Sequence, residues 1–96
     1  MADKSYPNIA FPEGFDERAE AEMQLKGWVT IYVEIEPDRK VELYISDIVR
    51  LKQDLEEAVR NGEPCFSQLG LVVIPEVTLP NIKRAVDFLW HQNYFV

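Results

Sequence analysis

A chain of 96 residues, 47% of them hydrophobic, can build one core but is too short for a catalytic domain with a separate regulatory one. Seventeen acidic residues against ten basic leave a net charge of −7, which disfavours direct nucleic-acid binding and adsorption to anionic membranes, since both draw affinity from Lys and Arg. The single Cys65 excludes an internal disulfide, MADKSYPNIAFPEG lacks the apolar stretch of a signal peptide, and the longest apolar run, Leu71 to Ile74, cannot span a bilayer, so a cytoplasmic setting is expected.

Residues 1–14 read as an extended N-terminal arm. Pro7 and Pro12 oppose a helix there, while Tyr6, Ile9 and Phe11 offer apolar groups for docking. The single domain is expected over 15–96. Phe15, Ala19 and Met23 recur at i, i+4, the acids Asp16, Glu17 and Glu20 would fall in the first turns, and Gly27 follows Lys26 as a stop, which predicts a helix over about 16–26.

Residues 28–36 and 40–46 alternate with period two and form a predicted hairpin. Val29, Ile31, Val33 and Ile35 share a face with Val41, Leu43 and Ile45; Trp28, Tyr32 and Tyr44 lie on the other. A loop of Pro37, Asp38 and Arg39 would pair Ile35 with Val41, Val33 with Leu43 and Ile31 with Ile45. That register sets Tyr32 opposite Tyr44 and Glu36 opposite Lys40, at the cost of Glu34 facing Glu42.

Ser46 or Asp47 can cap a second helix running to about Arg60 and ended by Asn61-Gly62. Ile48, Leu51, Leu55, Ala58 and Val59 form its expected buried stripe. Arg50 with Asp54, Lys52 with Glu56 and Glu56 with Arg60 form expected ion pairs on its exposed side. Residues 69–74, LGLVVI, read as a strand covered on both faces and stopped by Pro75. Thr78-Leu79-Pro80 opens a last helix with a core stripe of Ile82, Ala85, Val86 and Leu89, and the aromatic residues Trp90, Tyr94 and Phe95 are expected to pack at its end.

The order αββαβα predicts an α+β fold: a three-stranded, mainly antiparallel sheet in the order 2-1-3, with two helices packed on one face and the N-terminal helix and arm beside it. The longest strand, the first, is expected at the centre, and a crossover makes the second and third parallel. Such a sheet leaves the face of Trp28, Tyr32 and Tyr44 to be covered by something else. A lid formed by Phe11, Phe15, Ala19 and Met23, a second copy in a homodimer, or a foreign protein partner would each serve, and the three aromatic residues form the expected binding surface.

Few residues carry chemistry. Asp87 and His91 stand at i, i+4 on one helix, and Cys65 lies in a loop whose approach to them would supply a nucleophile, although a histidine at a helix C-terminus is also favourable as a plain cation. Glu34, Glu36, Asp38 and Glu42 crowd the hairpin end, yet the calcium-loop pattern is absent and a solvated rim explains them. With four dispersed glycines there is no phosphate-cradling loop, so neither cofactor nor metal is expected. The expected function is a small non-catalytic interaction or regulatory protein. The alternatives are a small enzyme or ligand-binding protein using Cys65, Asp87 and His91, and an acidic inhibitor that mimics nucleic acid.

Overall fold

The computed structural model describes residues 8–95. Residues 1–7 of the expected arm, including Tyr6 and Pro7, lie outside the described residues. Seven elements follow in order: β1 (Asn8–Ala10), α1 (Glu17–Lys26), β2 (Trp28–Glu36), β3 (Arg39–Ser46), α2 (Ile48–Arg60), β4 (Leu71–Val73) and α3 (Leu79–His91). They form an α+β fold with a four-stranded mixed sheet and three helices.

Each helix starts on a short polar side chain that accepts from a backbone N–H one turn ahead. Asp16 accepts from the Ala19 N–H, Asp47 from Arg50 at 2.7 Å and Thr78 from Asn81, satisfying donors that the helices cannot pair internally. At the end of α1, Gly27 adopts a φ of +79° and donates to the Met23 carbonyl. A Cβ at Gly27 would also collide with the Asp47 carboxylate, so this glycine both stops α1 and makes room for the cap of α2.

The sheet order is β1-β2-β3-β4, antiparallel except for the parallel pair β3 and β4. The hairpin's second strand, not its first, therefore neighbours the crossover strand, and the expected 2-1-3 order is corrected. Leu43 and Ile45 are fully buried on one face of β3 and Ser46 on the other, so β3 is lined on both sides and belongs beside β4. Residues 8–10, expected as part of a loose arm, add a fourth strand on the far side of β2.

The hairpin register also differs from expectation. A two-residue turn, Pro37-Asp38, replaces the three-residue loop, and the ladder pairs Val29 with Ile45, Ile31 with Leu43 and Val33 with Val41, with an irregularity between Glu34 and Glu36. A shift of two residues keeps both apolar sets on their faces, which is why alternation alone could not exclude it. It removes the expected Tyr32 and Tyr44 pair: Tyr44 stands opposite Thr30 and Tyr32 opposite Glu42. Glu34 now faces Lys40, 3.7 Å away, and so escapes Glu42.

The core lies on the Val29, Ile31, Val33, Leu43 and Ile45 face, against Ile82 and Val86 of α3, Met23 of α1 and Phe95. The α3 stripe is as expected. Phe11, Phe15 and Met23 join this same core and do not form a lid over the opposite face. The C-terminal aromatic cluster packs as expected, with Phe95 buried edge-on against Tyr94 and its carbonyl accepting from the Arg39 guanidinium at 2.9 Å. Among the described residues, no helix is long and apolar enough to cross a membrane.

Candidate functional site

On the face of Trp28, Tyr32 and Tyr44, α2 packs over Trp28 and Tyr44, which corrects the expectation that this helix shares the opposite face with α3. The Tyr44 hydroxyl donates to Asp54 Oδ2 at 2.9 Å, Arg50 Nε lies 3.0 Å from Asp54 Oδ1, and the Arg50 guanidinium stands 5.7 Å from the centre of the Trp28 ring. Trp28 and Tyr44 pack diagonally, with ring centres 5.7 Å apart. One acid thus holds a phenol and a cation while two rings form the floor under the helix. Burial, then the hydrogen bond to Asp54, raise the Tyr44 pKa above its ordinary value of 10, and Arg50 opposes the shift.

This arrangement turns α2 away from its expected orientation. Asp54, expected on the exposed side, is only 8% exposed, and Ala58 one turn later is buried beside it. Of the expected buried stripe, Leu51 is half-buried, while Ile48, Leu55 and Val59 are 64%, 44% and 58% exposed. The physical reason lies in the floor: the Tyr44 hydroxyl needs an acceptor when covered, and small Ala58 admits the helix where a leucine would hold it off. Satisfying that hydroxyl rotates the apolar stripe to the flank.

The direction of that flank follows from helix geometry. At about 100° per residue, Ile48, Leu55 and Val59 lie roughly 140° to 180° around α2 from Arg50. Since Arg50 reaches Trp28 on β2, the apolar flank is directed to the β4 side. There β4 forms an edge of the sheet, and Val73, on the same sheet face as Tyr44, is 45% exposed. Tyr44 donates to the Gly70 carbonyl and Ile74 to that of Ser46, so by alternation the Val73 backbone groups point outward. A Cβ at Gly70, whose φ is +74°, would strike the Glu42 carbonyl, which explains the glycine where β4 begins.

The sequence had pointed to Trp28, Tyr32 and Tyr44. All three are half-buried, and two of them support α2 from beneath. Sequence reasoning missed Asp54 as the buried anchor, although a phenol destined for a covered face together with the i, i+4 pair of Arg50 and Asp54 was the available signal. The expected Lys52 and Glu56 pair is not among the ion pairs of the described residues.

His91 and Asp87 are neighbours: His91 Nδ1 is 2.8 Å from the Asp87 carbonyl and 3.5 Å from its carboxylate Oδ1. Cys65 is exposed in the connection between α2 and β4. A cleft of about 460 Å³ between β1 and α3 includes Asp87 with Ile9, Phe11 and Val86, and neither Cys65 nor His91 lines it. Among the described residues, no group of three or more His, Cys, Asp or Glu side chains could hold a metal ion. Glu34, in the hairpin-end acidic group, is taken up by Lys40 and by the Asn8 amide. Comparison with protein-family models, curated proteins and solved structures finds no match.

Proposed function

We propose that this chain is a non-catalytic protein-interaction module that engages its partner through the outer flank of α2. The observation carrying this reading is the orientation of α2: an amphipathic helix gives a buried acid the inward position and turns Ile48, Leu55 and Val59 to solvent. Three large apolar side chains stand exposed on one flank of α2, with half-exposed Val73 on the sheet face that this helix covers, and together they present on the order of 300 Å² of apolar surface. The chain carries a net charge of −7, and Lys52 stands exposed within the apolar flank, so a partner that offers apolar side chains and a carboxylate suits this surface.

A photocrosslinking residue placed at Val59 tests this in cells, with the same residue at Lys83 on α3 as control. Adducts to a protein from position 59, with fewer or different ones from position 83, are expected. Equal, diffuse labelling from both positions would overturn the reading.

A further inference from the structure

The flank of α2 has the pattern of a helix that packs against its own copy. Ile48, Lys52, Leu55 and Val59 follow each other at spacings of four, three and four residues, the repeat of a two-helix seam. Three of these positions are apolar and exposed, and Lys52 is exposed among them. An antiparallel partner helix of the same sequence meets this row with its own. Ile48 falls opposite the partner's Val59 and Lys52 opposite the partner's Leu55, and one two-fold axis, between Gln53 and Asp54, generates both pairings and their mirror images.

Charge supports the same occupant. Across that axis Lys52 comes within reach of the partner's Glu56, and its aliphatic stem can lie along the partner's Leu55 while the ammonium extends to the carboxylate. Neither Lys52 nor Glu56 is engaged in an ion pair among the described residues, so both groups are presented for the contact. The arrangement needs no rotation of α2, because the inward side keeps Asp54 on Tyr44 and Arg50.

Resting on the reading of this flank as an interaction surface, we infer that its occupant is a second copy of the chain, joined in a two-fold dimer by antiparallel packing of the α2 helices. A 13-residue helix gives a contact about 20 Å long, well short of a permanent interface, and Lys52 within the seam weakens it further. The dimer is therefore reversible, in the micromolar-to-millimolar range of weak association.

Sedimentation equilibrium from about 10 µM to 1 mM spans that range. The expected mass rises with concentration from 11.2 kDa toward twice that value. Lys52→Leu completes the apolar row and is expected to tighten the dimer by about tenfold or more. Leu55→Asp is expected to hold the chain monomeric throughout. Both substituted side chains are exposed, and far-UV circular dichroism verifies that each variant keeps its fold. If the native chain and Lys52→Leu both remain at 11.2 kDa, or Leu55→Asp associates as the native chain does, the inference is overturned. A monomeric chain that still crosslinks to a different protein from position 59 overturns the second copy and leaves the surface reading standing.

Discussion

Replacing Asp54 by alanine removes the anchor that orients α2. The side chain is almost fully buried, accepts a 2.9 Å hydrogen bond from the Tyr44 hydroxyl and lies 3.0 Å from Arg50 Nε. A hydrogen bond to a charged acceptor contributes about 1.5 to 3 kcal/mol, and an ion pair whose cation is a third exposed adds about 0.5 kcal/mol. The Arg50 side chain is 34% exposed, which limits the cost of losing its partner, although its Nε is buried without a hydrogen bond. The expected loss is about 2 to 3 kcal/mol. With a urea m-value of about 1 to 1.5 kcal/mol/M for a chain of this size, the midpoint should fall by roughly 2 M. Tyr44→Phe alone should cost about 1 to 2 kcal/mol, and the double variant little more than Asp54→Ala, giving a coupling energy of at least about 1 kcal/mol. Losses that simply add, or an Asp54→Ala midpoint within about 0.3 M of the native value, would refute the role assigned to the pair.

Three further outcomes follow from the same geometry. Because the folded state holds the Tyr44 phenol above its ordinary pKa of 10, the stabilisation is complete below pH 10 and is lost as the pH climbs through the raised value. Urea midpoints measured from pH 9 to 11.5 should therefore fall more steeply for the native chain than for Tyr44→Phe, and parallel curves would contradict this. Gly27→Ala, which forces a positive φ and a collision with the capping carboxylate of Asp47, should cost more than about 2 kcal/mol, whereas Gly14→Ala, with a similar φ and open space around it, should cost about 1 kcal/mol. Ile31→Ala, at a fully buried site in the centre of β2, should lose about 3 to 5 kcal/mol in the same assay, and a loss under 1 kcal/mol would mean the core is not where it is described.

Much of the fold was legible in local patterns. The caps at Asp47 and Thr78, the stop at Gly27 and the alternating faces of β2 and β3 are short-range features, and the three helices and the hairpin formed close to where their residues indicated, whereas β1 was not foreseen as a strand. What local patterns leave open is any choice that keeps those patterns intact. Shifting the hairpin by two residues preserves every face; the two-residue turn at Pro37-Asp38 together with the irregularity between Glu34 and Glu36 sets the register. Either placement of the crossover strand satisfies the same hydrophobic pattern, and its pairing with β3 leaves β2 and β3 both internal to the sheet. The candidate site was hidden by a sound rule. An apolar stripe normally faces the core, but here α2 gives its inward positions to Asp54, bonded to the Tyr44 phenol, and to small Ala58, an arrangement that hydrophobic spacing does not register.

That rotation is the claim on which the functional reading depends, and urea unfolding of the double variant Leu55→Asp, Val59→Asp at a concentration where the chain is monomeric tests it most directly. Leu55 is 44% exposed and an aspartate at 59 opposes the dipole in the last turn of α2, so the variant should lose no more than about 2 kcal/mol in all. A combined loss of about 4 kcal/mol or more, as expected when two charges replace core side chains, would show that the stripe faces inward and would remove the surface proposed for binding.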